Sequence, residues 1–190
     1  MSLSTESAAT PVVLPYAHPL DEFYANAGLT LPRIEVIPGP SMPEPHRKLL
    51  VHDGDMTPAL EAFYDSPIHL EVLRSEERNS YYYREVVLIT DDASERVEFG
   101  AIKISLERFP PAARKDILAE RLPLGTILAK YRIRHTSRPK AFLKIVADDF
   151  INQSLGTTGR LTLYGRRNTL SNLEMEPLAE IVEILPPANQ

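Results

Sequence analysis

Cysteine is absent from this sequence of 190 residues, and acidic residues outnumber basic ones by 26 to 21. Without cysteine, the chain has no disulfide, no thiolate nucleophile and no cysteine metal ligand. The net charge of −5 gives no electrostatic reason to expect nucleic acid or an anionic membrane as a partner. No apolar run is long enough for a membrane span, and residues 1–10 lack the pattern of a signal peptide. We therefore expect a soluble cytoplasmic protein.

The common motifs of nucleotide and acyl chemistry are also missing. The sequence contains no Walker A loop, no Gly-x-Gly-x-x-Gly and no Gly-x-Ser-x-Gly. The five histidines form no His-x-x-x-His pair or comparable spacing, so we expect no metal site. What remains is a chain of ordinary composition, 43% apolar and 25% charged, with a length that suits one well-packed domain.

The 17 prolines are clustered and suggest where the folded domain begins. We expect residues 1–45 to form a proline-rich N-terminal arm that is partly flexible. Within it, residues 19–27 should make a short helix, and the proline density of residues 29–45 should prevent any regular element. We expect residues 46–190 to form the domain, with a helix that begins near Asp55 or Thr57.

Alternating apolar and polar residues predict that strands dominate this domain. The predicted strands are residues 68–73, 80–90, 97–106, 131–133, 141–147, 161–170 and 178–185. Short polar turns join the first three into an antiparallel meander. A helix is expected at residues 112–120 and a loop at 148–159. This pattern predicts an α+β fold with a single antiparallel sheet of about six strands and helices packed on it.

The strand at residues 80–90 contains a charge that needs an explanation. Side chains alternate across a strand, so Tyr82, Arg84, Val86 and Leu88 should share one face. Arg84 is then a permanent cation in an apolar row, and a buried guanidinium is costly unless an anion meets it. The anion could be a structural carboxylate or part of a ligand, and the pattern leaves both possibilities open.

Charged residues occur in two other predicted strands. Arg166 and Arg167 lie within residues 161–170. Both faces of the last strand are apolar apart from one glutamate each, Glu180 and Glu183, which indicates a central position in the sheet. At least one of these glutamates should be buried, and a salt bridge to Arg84 or to one of the paired arginines would explain it without any ligand.

Four segments resemble, in order, those of one known enzyme family. They are Tyr-Tyr-Tyr-Arg-Glu-Val-Val-Leu at residues 81–88, Leu-Pro-Leu-Gly at 122–125, Leu-Tyr-Gly-Arg-Arg-Asn-Thr-Leu at 163–170 and Glu-Pro-Leu-Ala-Glu-Ile-Val-Glu-Ile-Leu-Pro-Pro-Ala at 176–188. The chain is similar here to chorismate lyase, also called chorismate pyruvate-lyase or 4-hydroxybenzoate synthase. The resemblance extends over about three quarters of the chain, from residue 51 onward.

The resemblance implies a sheet with helices on one side and a lyase that converts chorismate to 4-hydroxybenzoate and pyruvate without metal or organic cofactor. It assigns the catalytic and substrate-binding roles to Arg84 and Glu183. It places the other substrate contacts at Met56, Leu124, Gly125, Arg166 and Arg167, without deciding which of the two paired arginines faces the site. Arginine suits a substrate with two carboxylates because it can bind a carboxylate through two parallel hydrogen bonds.

Two functions from different classes follow. The resemblance favours a cofactor-independent carbon–oxygen lyase that acts on chorismate or a similar aromatic acid. The alternative is a non-catalytic small-molecule binding domain related to the effector-binding domains of GntR-type regulators, although no helix-turn-helix precedes the domain. Both readings expect a small anionic ligand and neither fixes the oligomeric state.

Overall fold

A computed structural model describes residues 15–188 and shows a seven-stranded antiparallel sheet at the centre of the molecule. Each strand coincides with a stretch of alternating or β-branched residues. The strands are β1 (Ile34–Ile37), β2 (Ile68–Arg78), β3 (Tyr81–Thr90), β4 (Arg96–Ser105), β5 (Thr136–Val146), β6 (Thr162–Ser171) and β7 (Pro177–Leu185).

The strand order across the sheet is β1-β5-β6-β7-β4-β3-β2. The predicted meander β2–β3–β4 is confirmed, and it pairs with β5–β6–β7 through the contact between β4 and β7. β7 therefore lies at the centre, as its two apolar faces predict. The α+β fold class with a single antiparallel sheet is confirmed, with one strand more than the six expected.

Helices cover both faces of the sheet. They are α1 (Leu20–Asn26), α2 (His46–Leu50), α3 (Met56–Tyr64), α4 (Pro111–Leu118), α5 (Leu124–Lys130) and α6 (Asp149–Leu155), with 3₁₀ turns at Gly39–Ser41 and Leu106–Arg108. The apolar residues of α2 to α5 pack with Tyr82, Val86 and Leu88 of β3 on one face. Those of α1 and α6 pack with Tyr83 and Val87 on the other, so the arrangement differs from the one-sided layer implied by the resemblance.

Three local predictions are wrong. Residues 29–45 contain the strand β1, because an edge strand pairs on one side only and tolerates flanking prolines. Residues 148–159 contain α6, in which the Asp148 carboxylate accepts a hydrogen bond from the Ile151 N–H at 2.9 Å and caps the helix. Residues 131–133 are not a strand; the Ile133 N–H instead donates to the Leu128 carbonyl at 2.9 Å and closes α5.

Part of the predicted N-terminal arm belongs to the folded layers. Leu20 and Phe23 of α1 are buried against the sheet, and β1 extends its edge. Residues 1–14 of that arm lie outside the described residues, and the division of the chain at residue 45 stays a prediction. None of the helices within residues 15–188 is long and apolar enough to cross a membrane.

Candidate functional site

A cavity lies between the sheet and the first turns of α3 and α5. Its volume is about 40 Å³, which is room for a few water molecules and lies well below the range typical of small-molecule sites, so the cavity is narrow. Its walls are mostly apolar and include Met56, Val86, Ile102, Leu124, Leu170 and Ile181.

Two glycines shape this cavity. A Cβ on Gly125 would lie 3.0 Å from Oγ1 of Thr57, so the glycine allows the first turns of α3 and α5 to approach each other closely. On the sheet side, Gly100 faces Glu183 of β7 in register, and a Cβ there would lie 3.2 Å from Oε1 of Glu98, so the glycine leaves room for the Glu98 carboxyl.

Arg84 lines the cavity, on the face of β3 that the alternation predicts. Its side chain is 1% exposed, and its Nε and Nη1 have no hydrogen-bond partner among the described residues. Burial lowers the pKa of the guanidinium. The nearby Tyr82 and the Glu120 carboxylate oppose this shift. Glu120 is held by a hydrogen bond from the Tyr82 hydroxyl. A guanidinium in this state is a ready binding site for an anion.

Arg166 is also fully buried, but its hydrogen bonds are satisfied. Its Nε donates to the Glu183 carboxylate. Its terminal nitrogens donate to the carbonyls of Leu50 (3.3 Å), His52 (2.9 Å) and Gly54 (3.0 Å). Arg166 therefore fastens the loop between α2 and α3 to the sheet, and it is not free to receive a ligand.

Arg167 points to the opposite face of the sheet. One of its terminal nitrogens donates to Glu180 at 3.0 Å, and Thr169 donates to the same carboxylate at 2.8 Å. Because consecutive residues of β6 alternate in direction, Arg166 and Arg167 cannot both face the cavity. The salt bridges expected from the sequence thus exist for Arg166 and Arg167, whereas Arg84 forms none within residues 15–188.

The structure brings five of the seven predicted site residues to one place. Met56, Arg84, Leu124, Gly125 and Glu183 all line the cavity. The two paired arginines, Arg166 and Arg167, do not. The binding roles assigned to the five lining residues stay predictions, and the geometry shows only that they share one enclosed space.

Glu98 is a cavity residue that the sequence prediction missed. It is 3% exposed, and its Oε2 has no hydrogen-bond partner in the described part of the chain. Burial raises the pKa of this carboxyl well above its usual range, and the nearby Glu183 carboxylate adds to the effect, while Arg166 opposes it. The signal was present, because Glu98 is a lone charge on the apolar row of β4 that includes Ile102 and Ile104.

Asn168 is a second missed residue and lies 1% exposed against the cavity. Its side-chain nitrogen donates to Ser137 Oγ at 2.9 Å, and its Oδ1 has no partner within residues 15–188. The sequence carries no signal for this residue, because only the three-dimensional arrangement places Asn168 at the cavity.

Asp55, at the edge of the cavity beside α3, pairs with His135. The Asp55 carboxylate accepts from Nε2 of His135 at 2.9 Å, and Nδ1 of the same ring lies 2.9 Å from the Ile133 carbonyl. The Asp55 hydrogen bond raises the pKa of His135. Asp55 therefore does not use its side chain to cap α3. No group of three or more histidine or acidic side chains within the described residues could hold a metal ion.

Comparison with known proteins supports the fold. No protein-family model and no curated protein matches the sequence. PhnF from Mycobacterium smegmatis is similar in structure, with 13% identity, a TM-score of 0.53 and coverage of 72% of this chain and 65% of that one. Its effector domain alone gives 14% identity, a TM-score of 0.53 and coverage of 70% and 88%. YydK from Bacillus subtilis, a possible transcriptional regulator, has 9% identity, a TM-score of 0.52 and coverage of 64% of this chain and 60% of that one.

These similarities change the functional expectation. The match spans less than two thirds of the PhnF and YydK chains. YydK is named as a possible transcriptional regulator and the matching part of PhnF as an effector domain, and neither is named as a lyase; this finding contradicts the expectation of an enzyme. The fold is that of the effector domain of PhnF, which agrees with the chorismate lyase-like architecture without supporting the lyase activity.

Proposed function

We propose that this domain binds a small anionic ligand in the cavity without transforming it. The observation that carries the proposal is the Arg84 guanidinium, which is 1% exposed, lines the cavity and leaves Nε and Nη1 without a partner among the described residues. Buried charges in proteins are normally paired, because an unpaired one carries a large desolvation cost. A ligand anion would provide the missing partner.

The contrast with Arg166 strengthens this argument. Both arginines are buried in neighbouring parts of the same sheet face, and the fold gives Arg166 a carboxylate and three carbonyl oxygens. The fold therefore satisfies a buried arginine where the role is structural. The unpartnered Nε and Nη1 of Arg84 can instead donate hydrogen bonds to a carboxylate or a similar anion.

The remaining walls suggest the body of the ligand. Val86, Ile102 and Ile181 form an apolar floor on the sheet, and Met56 and Leu124 cover it from the helices. A narrow space between two apolar layers suits a flat ring better than a branched chain. An aromatic acid therefore matches the cavity in charge and in the character of its walls, and its binding requires the cavity to widen from its volume of about 40 Å³.

The role of such binding is that of an effector domain. The effector domain of PhnF has the same fold, and a domain whose cavity widens around a ligand can convert binding into a change of stability or association. We propose that the chain acts as the ligand-sensing part of a regulatory system and not as a catalyst.

Calorimetric titration tests the proposal. The purified protein is titrated with benzoate, with 4-methylbenzoate and with inorganic phosphate, which is an anion without an apolar body. We expect one-to-one binding of the aromatic acids that is lost in Arg84→Met. Arg160→Met, which changes an exposed arginine outside the cavity, serves as the control and should bind as the wild type does. Equal binding by wild type and Arg84→Met, or no binding of any probe, would contradict the proposal.

A further inference from the structure

The stretch from residue 122 to residue 147 contains no aspartate or glutamate, yet it holds six of the 21 lysines and arginines of the chain. It comprises α5, the loop that follows and β5. Lys130 pairs with Asp116 at 2.6 Å. None of the other five lines the ligand cavity. These five residues, here called the basic strip, are exposed and form no salt bridge within residues 15–188: Arg132, Arg134, Arg138, Lys140 and Lys144.

Arginines at the opposite edge of the sheet are paired, in contrast to the basic strip. On β2, Arg74 forms a salt bridge with Glu85, and Arg78 forms one with Glu22. The fold thus places a carboxylate beside an arginine where both belong to its own packing. Neighbouring cations without a carboxylate repel one another, and an anion from outside the chain would relieve this repulsion. The arrangement therefore favours an external anion at the basic strip.

The basic strip lies at an open edge of the sheet. β1 pairs only with residues 142–145 of β5, so the part of β5 that contains Arg138 and Lys140 has no outer neighbour among the described strands. Lys144 lies opposite Glu35 of β1 in register. From Arg138 to Lys144, at about 3.3 Å per residue, the strip extends along roughly 20 Å of strand. This is about the axial length of six nucleotides in one strand of a duplex.

The net charge of −5 does not oppose this arrangement, because all the acidic residues lie outside residues 122–147. Exposed Glu71, Glu76 and Glu77 lie on β2, at the far edge of the sheet. Five strand spacings of about 4.8 Å put β2 roughly 24 Å from β5. The Debye length at physiological ionic strength is about 8 Å, so these carboxylates are largely screened from an anion bound at the basic strip.

We propose that the basic strip binds the phosphate backbone of a nucleic acid duplex without reading its sequence. Contacts to phosphates release counterions, which makes a row of exposed cations effective in binding. The carboxylates of an acidic protein segment would gain less, because exposed salt bridges contribute little.

The aromatic side chains beside the strip favour a duplex over a single strand. Tyr131 and Phe142 are half-buried, and the Tyr131 hydroxyl donates to Asp116 at 2.9 Å. These rings offer little surface on which unpaired bases could stack. The phosphates then dominate binding, and a duplex carries them at the higher density.

Fluorescence anisotropy with a labelled DNA duplex of about 20 base pairs tests the proposal. For three to five phosphate contacts, we expect the logarithm of the binding constant to fall with the logarithm of salt concentration with a slope of about −2.7 to −4.5. The affinity should then decrease about 40-fold to 500-fold between about 50 mM and about 200 mM NaCl. Absence of binding at about 50 mM NaCl, with up to about 100 μM protein, would overturn the proposal.

Charge reversal assigns the binding to its surface. Arg138→Glu combined with Lys140→Glu should weaken binding at least about tenfold at about 50 mM NaCl and make the salt slope shallower by about 1.8. Lys115→Glu combined with Arg121→Glu is the matched control, because it changes the net charge equally at exposed positions outside the strip. The control should bind nearly as the wild type does. Equal weakening in the two double variants would show an effect of net charge alone and would overturn the assignment.

A second pair of substitutions separates binding from folding. Arg132→Glu combined with Arg134→Glu changes the loop before β5 and should weaken binding to a similar extent, and circular dichroism checks that each variant keeps the sheet. Competition with polyglutamate tests the acidic-protein alternative. Displacement of the duplex by polyglutamate at an equal concentration of charges, or tighter binding of a single strand, would overturn the choice of a nucleic acid duplex.

Discussion

Replacement of Arg84 by methionine should stabilise the unliganded protein while it abolishes ligand binding. Methionine keeps a long apolar side chain and removes the guanidinium. In the unliganded protein, Nε and Nη1 are buried without a partner within residues 15–188, and each unsatisfied buried polar group costs about 1–3 kcal/mol. The substitution removes both unsatisfied groups, so part of this unfavourable free energy is recovered and the folded state becomes more stable.

Two smaller effects oppose the gain. The Arg84 guanidinium is attracted by Glu120, which the variant loses, and the shorter methionine leaves a small void that costs about 1 kcal/mol. We therefore expect a net increase of about 1–3 kcal/mol in the free energy of unfolding. Ligand affinity should fall by about 30-fold to 5,000-fold, because loss of one partner of a buried charge pair costs about 2–5 kcal/mol.

Arg166→Met is the matched control, since it removes the other buried guanidinium on this face of the sheet. The change leaves Glu183 as a buried unpaired carboxylate and frees three carbonyl oxygens of the loop between α2 and α3. We expect a loss of about 3–5 kcal/mol in the free energy of unfolding. Both substitutions replace a buried arginine with methionine, but they should change the free energy of unfolding in opposite directions.

Urea denaturation followed by circular dichroism measures both variants, and calorimetry with 4-methylbenzoate measures binding. A loss of more than about 2 kcal/mol in Arg84→Met, within the range of a broken structural contact, would refute the reasoning. Such a result would mean that the arginine stabilises the fold through contacts that its buried nitrogens do not show. Retained binding in the variant would separately refute its role in the ligand site.

Three further outcomes are expected. The pKa of Glu98 is raised in the folded protein from its ordinary value of 4.5. The free energy of unfolding of the wild type should therefore fall relative to that of Glu98→Gln as pH rises above about 4.5, by up to about 1.4 kcal/mol per pH unit, until the folded pKa is passed. Urea denaturation of both proteins between pH 4 and pH 9 measures this difference, and a difference that does not change with pH would contradict the raised pKa. Asp148→Ala should cost about 2 kcal/mol, since it removes both the cap of α6 and the acceptor of the Tyr24 hydroxyl at 2.9 Å; Asp149→Ala, one position further on, provides the control in the same denaturation assay. Gly165→Ala should destabilise the protein by more than about 2 kcal/mol, because its Cβ would lie 2.4 Å from the Glu183 carbonyl oxygen; a variant that unfolds in urea as the wild type does would show that the two strands can separate there at little cost.

The alternating pattern of β3 was sufficient to place Arg84 correctly. It predicted that Arg84 shares a face with Tyr82, Val86 and Leu88, and this face lines the cavity and its surrounding core. The same rule could have identified Glu98, which stands alone on an apolar row of β4. Glu98 lies outside the four segments that resemble the known family, so the resemblance does not point to it.

The paired arginines show the limit of that rule. Alternation places Arg166 and Arg167 on opposite faces of the sheet. It does not tell which of these arginines forms a salt bridge with a carboxylate of the protein, or whether Arg84 forms one. The resemblance made Arg166 a substrate contact, and the structure gives it four acceptors instead. Three of those acceptors come from residues 112 to 116 positions away in the chain.

The sequence by itself determined the antiparallel sheet, the meander and the face on which each strand residue lies, because these depend on neighbours two positions apart in the same strand. Only the tertiary structure decided which buried charge is satisfied by the protein and which remains open to a ligand. The reason is physical: hydrogen bonds of a guanidinium extend sideways, to strands and loops that are remote in sequence. Arg166 forms such hydrogen bonds, whereas Nε and Nη1 of Arg84 form none among the described residues.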